Sequence, residues 1–415
     1  MPVRLDKIAP VASTPKAPRI WYWLLLLGLV LTTGGLLALF SADDPAIVQA
    51  DRFWLDSLVF PFLVWCGLGL VRALLYVGEL SVADGWNEAR ETDMIQHIRR
   101  GRRSQQVLAV SLHTALRERG AENGEPQRDA LLNGQKALIS QPDWQASEEG
   151  LRHSRLPHEP GEPAIMLLRL ALVQVLRDIG AELKKLPHHT PLALLLDMHS
   201  SISEESLAEL WQDVWAKSGI QQTTTSIDGH GVAVVDSWLD QSIQDQALLL
   251  VVAFQVAPAD AQDTAEAVVG LLLANRLTQT TLEPIAYLHR PEQERAAEPD
   301  GLLRATRQAL DWVPLEAASV YHVWIASGHA SRALAINEVL SESRMLTEHR
   351  TGLHDLGSLL GNAGCAAPWV AIAGAVESIR AEGQPHFIFS GEAMPDAGLW
   401  CSVVAPNAAI RKSDE

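Results

Sequence analysis

Cysteine is almost missing from this sequence: 415 residues carry three, Cys66, Cys365 and Cys401. No pair has CxxC spacing, which excludes a zinc cluster and a disulfide framework and leaves them as reduced, buried small residues. Basic residues are scarce as well. The chain has 33 Lys and Arg against 50 Asp and Glu, a formal net charge of −17. Such a balance disfavours nucleic acid, whose phosphates need clustered Lys and Arg. Charged residues make up 20% and hydrophobic residues 47%, so the chain is neither disordered nor wholly embedded in a membrane. Its length allows one large or two medium domains with appendages.

The apolar residues are unevenly spread. "IWYWLLLLGLVLTTGGLLALF", Ile20–Phe40, supplies about the 20 residues needed to cross a bilayer and opens on Trp21, Tyr22 and Trp23, which favour the membrane interface. A signal peptide has a shorter apolar core followed by a small-residue cleavage site. A second run, "SLVFPFLVWCGLGLVRALLYV", covers Ser57–Val77; Arg72 is near enough to its end to snorkel, and Pro61 is tolerable near its start. Residues 20–78 therefore predict a two-helix transmembrane hairpin, with buried core helices as the alternative. Arg4, Lys7, Lys16 and Arg19 precede it, and Arg99, Arg100, Arg102 and Arg103 follow it. The link "SADDPAIVQADR" holds one basic residue and three aspartates. Basic residues outside the pair place both termini in the cytoplasm. The expected product is a two-pass bacterial inner-membrane protein with a cytoplasmic segment 1–19, an amphipathic connector 79–104 and a large cytoplasmic domain.

That domain reads as strands alternating with helices, an α/β sheet covered on both faces. "QQVLAVSL" is strand-like, and 117–163 is a polar insertion with a weak apolar pattern. "AIMLLRLALVQVLRDI" is a largely buried helix. "PLALLLDM" and "QALLLVVAFQV" are continuous apolar strands of the kind a parallel sheet buries on both faces. Between them a helix opens on a capping box, Ser201 to Glu204, and closes on Gly219. "AEAVVGLLLANR" and "TLEPIAYLH" read as adjacent antiparallel strands; two helix–strand alternations, a long helix and two closing strands follow. His153, His158, His188 and His189, with Glu159, lie in loops without convergent spacing, so they read as solvated and no metal or cofactor is expected.

The order of these elements and the wording of three motifs resemble the thiolase fold, in particular the C-terminal half of β-ketoacyl synthases. The family has a phrase of the type "AEGAAALVL", where this chain has "AEAVVGLLL", Ala265–Leu273. Its His-Gly-Thr-Gly-Thr motif, aligned on Glu338, falls on "SGHAS", Ser327–Ser331. Its glycine-rich motif opening a helix falls on "GSLLGNAG", Gly357–Gly364. The resemblance covers Gln246–Pro406 and is only topological over 105–245. It implies a layered αβαβα domain of two halves, 105–245 and 246–415.

The resemblance also implies where catalytic groups would stand. The two histidines that polarise the carbonyl fall on Ser327 and Ser358, and the supporting lysine falls on Leu353. The nucleophilic cysteine belongs in the first half, yet no cysteine occurs between Cys66 and Cys365. Ser226 or Thr225 would need a paired base, for which His230 is the nearby candidate. His329 is a second candidate histidine, with strand-end capping as its other reading. Cys365, in the first turn of a helix, sits where the family places a small packing residue. The glycines and alanines around it, Gly361, Gly364, Ala366 and Ala367, suit close helix–sheet packing.

These departures imply an inactive enzyme with no catalytic residues. Together with the hairpin, the architecture is similar to the lipase-adaptor family of type VI secretion clusters. That implies protein binding, with a secreted effector or the secretion machinery as partner, alongside the membrane; homodimerisation stays open. The competing readings are a divergent β-ketoacyl synthase-like acyl transferase and an acyl- or lipid-binding module.

Overall fold

The computed structural model describes residues 3–40, 51–144, 150–295, 300–326, 332–345, 352–391 and 398–407. The chain divides into two compact units, Arg4–Ile98 and Arg99–Glu415, the latter taking in Met1–Val3.

In the N-terminal unit, α1 is Ile20–Phe40. At 1.5 Å per residue its 21 residues span about 31 Å, the thickness of a bilayer's hydrocarbon core. The second helix, α2, runs Leu55–Gly101, so the expected connector continues the helix without a break. Both helices are long and apolar enough to cross a membrane by length and composition, with mean hydropathies of 2.2 and 2.1 over their most apolar windows. Those windows are 0% and 6% buried, unlike the mostly buried core helix of a soluble protein. The indole Nε1 of Trp65 donates to Trp23 O at 2.9 Å. Gly34 lets the backbone approach Pro61, where a Cβ would collide.

The C-terminal unit is built on one mixed sheet. Its first half runs past the expected boundary at 245/246, so that the Ala265–Leu273 motif belongs to it; it uses β1 (Ser104–His113), β4 (Leu192–His199), β5 (Thr224–Ser226), β6 (Leu248–Gln255) and β7 (Ala267–Asn275). Its second half uses β8 (Ala286–His289), β10 (His322–Ala326), β11 (Gly352–Asp355), β12 (His386–Ser390) and β13 (Trp400–Pro406). The spatial order is β5-β4-β6-β7-β1 in one half and β11-β10-β12-β13-β8 in the other. Rank by rank, the two orders are the same. The halves join through the antiparallel β1–β8 pair, Gln105 opposite Leu288. The short β9 (Glu292–Gln293) adds to β13, and β2 (Ile139–Gln141) pairs with β3 (Leu151–His153) as a separate hairpin.

Helices fill three layers around the sheet. Two short ones, α3 (Glu125–Leu132) and α9 (Leu356–Leu359), follow β1 and β11. α4 (Ala164–Leu183) and α5 (Glu204–Ser218) bury their apolar faces on one side of the first half. α7 (Gly301–Trp312) and α8 (Ala333–Glu342) do the same for the second half. α6 (Ala233–Gln241) and α10 (Ala367–Glu382) share a core with the opposite faces of both halves. The layers run α, β, α, β, α, which is the expected thiolase-like arrangement. Every residue of β6, "LLLVVAFQ", is buried, because Leu249, Val251 and Ala253 face the central helices while Leu250, Val252 and Phe254 face α4 and α5. The central position of α10 demands small residues. At Gly374 a Cβ would come within 3.1 Å of the Trp324 ring.

Three local expectations are corrected. β7 and β8 do not pair with each other; β1 lies between them, antiparallel to both. β1 is buried along almost its whole length, and a central slot supplies the hydrogen-bonding neighbours that such a strand needs on both edges. The cap of α5 is Ser203 rather than Ser201: the helix starts at Glu204 and Ser203 accepts from Ser206 N at 3.3 Å. His153 is not a solvated loop residue. It is 3% exposed, with Nδ1 at 2.9 Å from Leu151 O.

Candidate functional site

In the first half the C-terminal ends of β4 and β6 meet the loop that leads into α6 and the turn that leads into α10. The apolar run of β4 is interrupted once, by Asp197, which is 1% exposed. A carboxylate at that depth needs donors, and three surround it. His230 Nδ1 is 3.2 Å from Oδ1. Gly231 N donates to Oδ2 at 2.9 Å, and the Trp369 indole donates to the same oxygen at 3.3 Å. Asp197 thus fastens the start of α6 to the start of α10 across the central layer. A sequence reading can miss this role, since one Asp near the end of a strand is the ordinary place for a polar residue.

Cys365 lies beside this carboxylate, in the turn Gly364–Ala366 before α10. Its Sγ is 3.5 Å from both Asp197 O and Phe254 O. Burial, with the nearby Asp197 charge adding to it, pushes the thiol pKa well above its ordinary value. A thiol held protonated in this way is a poor nucleophile. Gln255 braces the same turn, donating from Nε2 to Ala265 O at 3.0 Å and to Asn362 O at 2.7 Å. Its Oε1 leaves no room for a side chain at Gly364, whose φ is +56°. At Gly361, φ +105°, a Cβ would strike Thr264 O. Both glycines of the motif are therefore required by close approach and backbone conformation.

The other singled-out positions do not converge on a reacting centre. Ser358 is spent on its own helix turn: its Oγ donates to Asp355 O at 2.9 Å, and its N donates to Asp355 Oδ1 at 3.3 Å. Leu353 lies on the edge strand β11 and is 43% exposed. Thr225 and Ser226 are exposed on the other edge strand, β5. The His230 side chain is 89% exposed, and its described hydrogen bond goes to Asp197. Ser327 and His329 lie outside the described residues. Where Ala326 meets Gly357, Gly361, Asn362 and Val370, the enclosed space is about 10 Å³, room for about one water.

One group among the described residues has metal-ligand composition: His322, Glu382 and His386 hold their ligand atoms within 4.8 Å of one another. Hydrogen-bond accounting gives it another role. The Trp324 indole, a donor only, points at His386 Nδ1 from 3.0 Å. His386 therefore carries its proton on Nε2, which removes the lone pair an ion would need there. His322 bonds Glu382 through Nε2 at 2.9 Å and His354 through Nδ1 at 2.8 Å. Burial, reinforced by His322, lowers the His354 pKa to about 4 and holds that of His386 well below its ordinary value. His354, His322 and Glu382 thus form a hydrogen-bonded chain joining β11 and β10 to the end of α10, and Trp324 separately ties His386 of β12 to β10.

No protein-family model matches the sequence, and no curated protein matches it. Similarity appears among solved structures. A chain of the complex described as "AntDE:AntF (apo): type II PKS acyl-carrier protein in complex with its ketosynthase bound to the hexaketide" superposes with a TM-score of 0.52 at 13% identity, over 74% of this chain and 100% of that one. The ishigamide ketosynthase/chain length factor gives 0.49 at 11% identity, over 73% and 99%. Human mitochondrial 3-ketoacyl-CoA thiolase in complex with CoA gives 0.45 at 10% identity, over 74% and 99%. The first of these carries the thiolase-like fold, and at such identity the fold is what it carries.

Proposed function

We propose that the thiolase-like unit binds a protein partner rather than turning over an acyl substrate, and that the two apolar helices tether it to the bacterial inner membrane with both termini in the cytoplasm. The observation that supports this reading is the use made of Asp197. Both its oxygens serve the packing of α6 and α10, and the neighbouring thiol of Cys365 is held neutral. Covalent acyl transfer needs an activated nucleophile and donors aimed at a developing oxyanion; among the described residues, Asp197 and Cys365, where the two halves meet, are engaged in packing instead. The finer form of the proposal is an adaptor that loads a secreted effector onto a type VI secretion apparatus. It rests on the apolar hairpin joined to a thiolase half that departs from the family at Ser358 and Leu353.

The test is incubation of the full chain with a labelled acyl thioester, followed by intact-protein mass spectrometry. No adduct is expected. A stoichiometric adduct abolished by Cys365→Ser, Ser226→Ala or His230→Ala would establish the alternative, a divergent acyl transferase. The adaptor reading is tested separately: affinity capture of the full chain from solubilised membranes should retain an effector, and deletion should block that effector's secretion. Unchanged secretion refutes it.

A further inference from the structure

A cavity of about 430 Å³ opens between the end of β1 and the outer face of α4, on the far side of the sheet from Asp197. Its volume lies in the range of small-molecule sites. Leu156, Leu167, Leu170, Ala171 and Val173 give it apolar walls. α4 carries apolar side chains beyond its packed face as well. Its inner face packs on the sheet, whereas Leu170 and Val173, which line the cavity at helical spacing, stay 48% and 38% exposed, and Met166, one turn before Leu170, is 44% exposed.

Arg117 also lines this cavity and is 5% exposed. Its Nη1 donates to Leu112 O at 2.7 Å and its Nη2 to Ala121 O at 3.1 Å. Both acceptors are neutral carbonyls, and Nε has no partner among the described residues. A buried charge is ordinarily paired, yet no described carboxylate lies within ion-pair distance of Arg117. Asp178, the charge that acts on it most strongly, is already engaged by Ser111 Oγ at 2.6 Å and Gln174 Nε2 at 3.0 Å. At the rim Arg177, among the described residues, bonds Gln174, while Arg119 is matched by Glu162. Glu118 and Glu122 sit at the exposed mouth.

We propose that this cavity binds a small anionic amphiphile, a carboxylate on a short apolar body, with the carboxylate on Arg117 and the apolar part along Leu170 and Val173. A planar carboxylate accepts from two guanidinium N–H groups at once, and Arg117 has donors to spare after its two backbone bonds. The apolar row of α4 gives the body a wall that water otherwise covers. This proposal is independent of the partner-binding reading, because neither uses the other's residues.

Calorimetric titration of the full chain in lipid nanodiscs, with empty nanodiscs as the blank, tests it with octanoate, octanamide and octylammonium. Saturable one-to-one binding of octanoate is expected, with octanamide and octylammonium at least tenfold weaker. Arg117→Met should weaken octanoate at least tenfold. Leu170→Glu, at an exposed position that folding tolerates, should do the same and decides the matter if Arg117→Met fails to fold. No saturable octanoate binding, equal affinity for octanamide, or wild-type affinity in Leu170→Glu overturns the proposal.

Discussion

Replacing Arg290 by Met should cost the C-terminal unit about 3–5 kcal/mol. The guanidinium is fully buried, its Nε 2.7 Å from Asp236 Oδ1 and its Nη2 2.7 Å from Asp240 Oδ1, while Nη1 donates to Arg100 O at 3.0 Å. Burial raises the Asp240 pKa, but hydrogen bonds from Arg100 and Arg290 outweigh it and hold the carboxyl well below its ordinary range. A methionine side chain would fill much of the volume and carry no charge. Asp240 keeps Arg100, so the loss falls mainly on Asp236, whose side chain is 6% exposed. Removing one partner of a buried pair costs about 3–5 kcal/mol. Over roughly 300 residues, an unfolding entropy of about 2.1 cal/mol/K per residue turns that into a fall of roughly 5–8 °C in Tm. Thermal unfolding followed by tryptophan fluorescence reads it. The double variant Arg290→Met/Asp236→Leu should recover part of the loss, since two apolar groups then replace the pair. A single-variant loss below about 1 kcal/mol, or a double variant no better than the single, refutes the reasoning.

Acidification gives a second prediction. Burial lowers the pKa of His113 to about 3 and those of His289 and His354 to about 4, so unfolding takes up protons below about pH 6.5 and stability falls as pH drops through that window. Burial raises Glu292 and Glu377 to about 7, which acts oppositely; the three histidines prevail by about 1 kcal/mol per pH unit between 6 and 5, and His386, lowered in the same direction, adds to the slope. His354→Gln should flatten the slope in a denaturation series; an unchanged slope counts against it. Gly364→Leu should lower stability by roughly 2 kcal/mol or more, because φ is +56° and Gln255 occupies the space, and an unchanged melting midpoint contradicts this. A carboxy-terminal GFP fusion should fluoresce while the matching alkaline phosphatase fusion stays inactive; the reverse result overturns the orientation.

Much of the layered fold was legible because strands buried on both faces read as long apolar runs, as "LALLL" of β4 and "LLLVVAF" of β6 do. The helix following "GSLLGNAG" was legible through its small residues. Pairing was not. Whether β8 lies beside β7 or beside β1 depends on which strand fills a central slot, and local pattern carries no record of a partner far away in the chain. The cap of α5 was displaced because "SISEES" offers several serines, and the choice among them follows where the helix packs. At the candidate site the glycines were readable and their reasons were not: Gly364 is fixed by Gln255 and Gly361 by Thr264 O, both distant in sequence. The same holds for Asp197, whose partners His230 and Trp369 come from other elements.

The slot that β1 occupies has a consequence for how the chain comes into being. Gln105 is synthesised first and waits for Asn275, 170 positions later, and then for Leu288. At about 5–20 residues per second this leaves an apolar strand unpaired for roughly 10–30 s on the ribosome. Contacts so distant in sequence make folding slow and keep strand edges open to other chains. Overproduction at 37 °C should therefore strain this chain more than its final stability suggests, and slower synthesis or a holding chaperone should raise the yield of folded protein without altering its melting temperature.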